Sequence, residues 1–277
     1  MAKPRISFEY FPPKTEAGIA KLLADVTPVL NALGPEFFSV TYGAGGSTRD
    51  STMGVVSAIR DLGIDVAPHL SFGGDDENAV ADLLEAYRAK GVKRLVALRG
   101  DIPSGTGGKA QSVYANELVA FIRKTTGDHF NIEVAAYPEV HPQARSVESD
   151  LKAFATKVQA GADSAITQYF FNSDAYFRFV EDADKLGITV PIIPGIMPIT
   201  NSSQLMRFSD MCGAEIPRWM RLRLQGFGDD TASIKAFGHE VITDLCEVLR
   251  AGGAPGLHFY TMNQSAPVLA ICDELRI

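Results

Sequence analysis

The chain has 277 residues, 46% hydrophobic and 21% charged, which suits one domain with a sizeable core. Its formal net charge of −7 argues against nucleic acid, because a polyanion calls for a basic face. No apolar run reaches the 18 or more residues of a membrane span, and the start MAKPRISFEYFPPK lacks a signal peptide's apolar stretch, so a cytoplasmic protein without a membrane partner is expected.

Strand and helix patterns alternate along the chain, the mark of a parallel sheet wrapped by crossover helices. Eight short apolar runs are predicted strands: Ile6–Phe8, Phe37–Val40, Val66–Pro68, Leu95–Leu98, Ile132–Ala136, Ala165–Thr167, Ile192–Ile196 and Leu257–Phe259. Eight is the barrel number, and the expectation is an α/β (β/α)8 TIM barrel spanning 1–277 as a single domain. Between the runs lie helical patterns. Val80, Leu83, Leu84 and Tyr87 share one face of Ala79–Lys90, while Ser146 starts a helix with Glu148 and Asp150 in its first turn and Gly161 at its end. Extra helices are predicted between strands seven and eight, over Ser202–Met211, Pro217–Leu224 and Thr231–Ala251. An insertion there would lie on the catalytic face.

Seven of the eight strands end on a polar or ionisable residue: Glu9, Thr41, His69, Asp101, Tyr137, Gln168 and Tyr260. Barrel active sites are built from the carboxyl ends of the strands, so such a ring reads as chemistry. Glu9 precedes Tyr10-Phe11-Pro12-Pro13 and is expected to enter an aromatic pocket where desolvation raises its pKa, fitting it to be a general acid. The plainer reading is a carboxylate hydrogen-bonded at a loop start. Asp101, in LVALRGD, suits an ion pair with Arg99 or an acceptor for a heterocycle's N–H groups. YPEVHP, Tyr137–Pro142, offers a stacking face and hydrogen bonds on a loop shaped by two prolines, with Arg145 and Lys157 nearby as phosphate partners or merely solvated cations.

Other motifs say less. GAGGST, Gly43–Thr48, lacks the spacing of a Walker sequence and of GxGxxG, and SGTGG, Ser104–Gly108, reads as a flexible loop or one that orders over a cofactor. Among the histidines, His69 and His141 stand at or beyond strand ends without a clear third metal ligand, His129 and His239 read as surface residues, and His258, inside strand eight, as a satisfied structural histidine. No metal is expected. Cys212, Cys246 and Cys272 match neither zinc nor disulfide spacing and read as buried thiols.

Taken together, SFEYFPPK, SVTYGAGGSTRD, APHL, LVALRGD, AAYPEVHP, AITQYFF, IIPGIMPITN and HFYTMNQ resemble the bacterial methylenetetrahydrofolate reductases, in the same order and over almost the whole chain. The resemblance implies a catalytic-domain-only flavoprotein barrel that holds FAD and passes a hydride between a nicotinamide cofactor, NAD(P)H, and a folate. It implies that Glu9 is the general acid and that Asp101 contacts the pterin and tunes the flavin. FAD contacts would fall on Thr41, Tyr42, Ala44, His69, Arg99, Gly100, Asp101, Tyr114, Ala115, Tyr137, His141, Ala144, Asp150 and Lys157. Folate and nicotinamide would meet Asp101, Gln168, Gln204 and Phe208, with Gln264 standing where the family carries an Arg that helps hold the folate. Losing that charge is expected to weaken folate binding or alter its pose. Ala153 and Thr156 likewise replace polar or basic residues along the FAD helix. Two other classes stay open: another flavin-dependent barrel dehydrogenase, such as one oxidising proline, and a non-catalytic folate- or flavin-binding protein. NADH against NADPH, reaction direction, polyglutamate preference and assembly into a homo-oligomer are also left open.

Overall fold

A computed structural model describes residues 5–42, 49–72, 76–100 and 113–277. Asp101, Ala44 and the GAGGST and SGTGG stretches lie outside them. Parallel strands β1 (Arg5–Tyr10), β2 (Phe37–Val40), β3 (Val66–Leu70), β4 (Arg94–Ala97), β5 (Asn131–Ala136) and β6 (Ser164–Thr167) follow one another around the sheet. The seventh strand is split. Its halves β7 (Ile192–Ile193) and β8 (Gly195–Ile196) pair with β6 and with β9 (Gly256–Tyr260), respectively, and β9 pairs with β1. The barrel therefore closes through the split strand, as a (β/α)8 fold requires.

Pro194 explains the split: without an N–H it cannot extend the ladder, though its carbonyl accepts from His258 N at 3.0 Å. Gly195 is needed beside it. A Cβ there would lie 2.1 Å from Thr167 O and 2.6 Å from the Tyr260 ring.

Strand alternation sorts the side chains into two layers. Ile6, Phe8 and Tyr10 join the large outer core packed under the helices, where Phe8 meets Phe38 at 5.5 Å between ring centroids and Tyr10 meets Phe38 at 5.1 Å. Ser7 and Glu9 face the lumen. Phe37, Ala67, Val96 and Ile166 form a small separate cluster inside the barrel. Below them Arg94 stacks over Phe37 and pairs with the buried Glu133, which also accepts from Ser164. This lower lumen is filled and internally satisfied, so open chemistry is confined to the other end.

The helix read from Ser146 begins there, while the one read as Ala79–Lys90 begins slightly earlier. Asp76 caps α4 (Glu77–Ala89), whose Val80, Leu84 and Tyr87 are buried, and Ser146 caps α6 (Val147–Gln159). The remaining elements are α1 (Glu16–Lys21), a π-helical turn (Leu22–Val26), α2 (Thr27–Asn31), α3 (Arg49–Asp61), α5 (Ala115–Thr126) and α7 (Ser173–Lys185). Between β8 and β9 stand α8 (Ser202–Cys212), α9 (Arg218–Phe227) and α10 (Thr231–Ala251), the extra helices read from the sequence, and α11 (Ala266–Glu274) follows β9. Among the described residues, no helix is long and apolar enough to cross a membrane. Cys246 and Cys272 are buried as expected; Cys212 is only half-buried.

Candidate active site

The β1·β9 register sets Ser7 against His258 and Glu9 against Tyr260, so these four side chains share the lumen near the carboxyl ends of the strands. The Glu9 carboxylate lies 3.3 Å from His69 Nε2 on β3 and 3.7 Å from His258 Nε2. All three are buried. Ser7 Oγ and His258 Nδ1 are 2.7 Å apart. The tautomer that points an Nε2 proton at Glu9 leaves Nδ1 to accept from the Ser7 hydroxyl. Neither His69 Nε2 nor His258 Nε2 makes a hydrogen bond of good geometry, so both face the Glu9 carboxylate through electrostatic proximity.

This corrects two expectations. Tyr10 turns outward into the helix-packed core, and the groups around Glu9 are imidazoles, not an aromatic pocket. Burial pushes the Glu9 carboxyl up, but His69 and His258 outweigh it and hold the pKa down to about 2. His258 is also not the fully satisfied histidine expected, since only its Nδ1 is hydrogen-bonded and its other nitrogen faces the carboxylate. The signal was available in the sequence: Ser7, Glu9, His258 and Tyr260 share strand parity, though only the register shows that they converge.

Tyr260 reaches past Gly195 of the split strand to donate to Thr167 O at 2.7 Å, and burial, with the Glu9 charge adding, pushes its hydroxyl well up. Thr41, at the end of β2, is buried with its hydroxyl unpartnered. Among the described residues, no group of three or more His, Cys, Asp or Glu is arranged to hold a metal ion.

Beside the mouth, a cavity of about 490 Å³ lies between the ends of β4 and β5 and the starts of α5 and α6. Arg99, Tyr114, Ala115, Tyr137, His141, Ala144, Asp150 and Lys157 line it, gathering eight sequence-predicted residues in one place. Asn116, Gln143, Arg145, Ser149 and Ala153 complete much of the wall. Of these, Arg145 and Ala153 drew notice in the sequence; Gln143, which accepts a hydrogen bond from Arg99, carried no signal. Thr41, Tyr42, His69 and Gly100 are outside this lining. Tyr137 and His141 meet edge to face at 4.6 Å, and the Asp150 carboxylate accepts from His141 N at 2.8 Å. Lys157 donates to Ala135 O at 2.5 Å, and burial pulls its pKa down to about 8 despite Asp150. Burial also lowers His141, with Asp150 opposing and Arg99 and Lys157 adding to the fall.

The helix α8 carries Gln204 and Phe208 and contributes no residue to this lining. Asn201 caps it by accepting from Gln204 N at 2.8 Å, and Gln204 and Phe208, four residues apart, share a half-buried face. The Arg207 guanidinium stands 5.3 Å from the Phe208 ring centroid. Tyr169, immediately after the half-buried Gln168, reaches Ser209 Oγ at 3.1 Å and Cys212 Sγ at 3.3 Å, fixing α8 to the end of β6. Glu139 of the YPEVHP loop accepts from Glu215 N at 2.7 Å, tying the cavity wall to the segment after α8. Gln264 is exposed on the loop after β9, its N–H donating to Thr261 O.

A (β/α)8 barrel with an acid–imidazole cluster at the carboxyl ends of its strands, beside a cation-lined cavity, defines an enzyme of the barrel class. The chain matches the methylenetetrahydrofolate reductase family over residues 1–276 and belongs to it. It is 39% identical over 273 residues to 5,10-methylenetetrahydrofolate reductase of Escherichia coli (strain K12), covering 98% of this chain and 90% of that one. It is 37% identical over 286 residues to a probable methylenetetrahydrofolate reductase (NADH) of Oryza sativa subsp. japonica, covering 97% of this chain and 48% of the plant protein. Among solved structures, an uncharacterized Clostridium thermocellum protein that binds two copies of 5-methyl-5,6,7,8-tetrahydrofolic acid superposes with a TM-score of 0.72 at 17% identity, covering 99% of this chain and 96% of its own. That likeness is one of fold.

Proposed function

We propose that this chain works as a single flavin-binding barrel that interconverts 5,10-methylenetetrahydrofolate and 5-methyltetrahydrofolate, with FAD held non-covalently and NAD(P)H as electron partner. It would serve one-carbon metabolism and methionine supply in the cytoplasm. The observation that carries the reading is the buried Glu9, ringed by His69 and His258, next to a cavity that pairs cations with aromatic faces.

The residues present fit a flavin dinucleotide. Arg99, Arg145 and Lys157 suit its phosphates; Tyr114, Tyr137 and His141 offer flat faces; the unpartnered Thr41 hydroxyl is a free polar group at the mouth. When bound, the flavin supplies hydride transfer, the chemistry for which no side chain here is suited.

The chain's own residues bind, orient and move protons. Phe208 and Gln204 would offer a stacking ring and an amide to the folate and nicotinamide, with Gln168, just after β6, as a further polar contact. Asp101 is assigned the pterin contact through the family resemblance. Glu9 is ionised in the free protein at neutral pH, so to assist opening of the methylene bridge it must first take up a proton. A ligand ring covering the mouth would strengthen the desolvation that already pushes the carboxyl up, and so favour uptake of that proton.

The experiment is the anaerobic visible spectrum of FAD-loaded protein as methyltetrahydrofolate is added. Bleaching of the flavin band supports the folate half-reaction; an unchanged spectrum with FAD demonstrably bound overturns it.

A further inference from the structure

Glu9 is also held through its main chain, by residues just after β9 that carry none of the roles assigned above. The β1·β9 ladder ends at the Glu9 and Tyr260 pair, yet bonding between the two segments continues through side chains. Thr261 Oγ1 donates to Glu9 O at 2.6 Å. Beyond it, Phe11 N donates to Asn263 Oδ1 at 3.0 Å, and Asn263 Nδ2 donates to Phe11 O at 2.8 Å. Asn263 N closes the set by donating to Thr261 Oγ1 at 3.1 Å.

The turn that allows this is strained. Met262 and Asn263 have φ of 53° and 56°, adjacent left-handed residues that are not glycine; among the described residues the other non-glycine case, Arg276, lies at the far end of the chain. Asn tolerates this conformation better than most residues, and its amide reproduces the donor and acceptor of a missing strand. Asp would lose the donor, and Gly would relieve the backbone while removing both bonds.

We propose that Asn263, with Thr261, is a positioning residue that fixes the end of β1, and thereby sets where the Glu9 carboxylate stands relative to His69, His258 and the folate. The clasp acts on the main chain on either side of Tyr10, so its loss lets the Glu9 to Pro13 segment shift as a unit. Misplacement of a reacting group by about 1 Å can cost on the order of 10²-fold in rate. The inference rests on the reading of Glu9 as the acid of the folate half-reaction.

Asn263→Gly and Asn263→Asp are compared with wild type and Glu9→Gln as FAD-loaded proteins, timing the nicotinamide and folate half-reactions separately and measuring flavin affinity. Asn263→Gly is expected to slow the folate half-reaction at least about tenfold and shift the acid limb of its pH profile, with Asn263→Asp in between. The nicotinamide half-reaction and flavin affinity should stay within about twofold. A wild-type folate rate in Asn263→Gly, with Glu9→Gln inactive, overturns the proposal. So do equal losses in both half-reactions, which mark a merely structural clasp. Full folate turnover in Glu9→Gln overturns the underlying reading instead.

Discussion

His258 Nε2 lies 3.7 Å from the Glu9 carboxylate while His69 Nε2 approaches the same oxygen at 3.3 Å, so one buried anion stands between two imidazoles donated by strands on either side of β1. The burial that would make Glu9 a weak acid is overcome by its neighbours, and its pKa falls to about 2 from an ordinary 4.5.

That depression makes stability depend on pH. A carboxyl whose folded pKa lies below its unfolded value stabilises the fold above the unfolded pKa and loses that contribution as pH falls through the folded one. For Glu9 the contribution is about 3 kcal/mol, present above about pH 4.5 and lost towards pH 2. Chemical denaturation across this window should show a steeper acid loss for wild type than for Glu9→Gln. In turnover, Glu9→Gln should keep its flavin and lose about 10²–10⁴-fold in the folate half-reaction. Parallel stability curves would remove the ion-pair account, and near-normal folate turnover would remove Glu9 as the acid.

Lys157 carries the opposite sign. Burial lowers its pKa to about 8, so its charge costs stability below that pH, a cost relieved as pH rises from about 8 towards the ordinary 10.5. A bound phosphate needs the charged form. Flavin affinity, titrated by fluorescence between pH 7 and 9.5, is therefore expected to weaken above about pH 8. Lys157→Met should bind more weakly at pH 7 and lose that dependence. A flat wild-type profile would place the phosphates elsewhere.

Much of this arrangement was legible in the sequence, and the gaps have physical causes. Strand runs such as Phe37–Val40 and helix starts such as Ser146 were readable because alternation, capping and apolar spacing are local properties. The surroundings of Glu9 were not, because the flanking sequence Tyr10-Phe11-Pro12-Pro13 suggests aromatic contact while alternation turns Tyr10 to the opposite face of the sheet. His258 was misjudged for a related reason. Its partner Ser7 is 251 positions away, and a parallel register between first and last strands leaves no local mark. The split at Pro194 was hidden inside an apolar run that reads as one strand. Of the eight cavity residues, Tyr137, His141 and Lys157 stand out in the sequence by residue type and position and the full set follows from the family resemblance, whereas Gln143 and Asn116 have no such signature.

Gln264 is exposed on the loop that follows the Asn263 clasp, where the family resemblance expects Arg. A guanidinium there could pair with a folate carboxylate in two parallel hydrogen bonds, which an amide matches only without charge. Gln264→Arg should therefore lower the methyltetrahydrofolate Kd about tenfold, or roughly 1.4 kcal/mol, leaving flavin affinity unchanged. Calorimetric titration of both ligands checks this, and an unchanged folate Kd would locate the carboxylate contact away from this loop.

Gly195 supplies a stability prediction independent of any ligand. A methyl group there would sit 2.1 Å from Thr167 O and 2.6 Å from Tyr260 Cε2, and neither can simply rotate away: one contact is backbone, and the Tyr260 hydroxyl is bonded to that same carbonyl. Relief requires moving β8 off β6 or expelling Tyr260 from the lumen, which would also disturb Glu9 beside it in the register. Gly195→Ala is expected to cost about 3 kcal/mol, towards the upper end for overpacking a filled core. Urea denaturation gives the figure directly, and a loss below about 1 kcal/mol would mean that the split strand has more freedom than its contacts with Thr167 and Tyr260 imply.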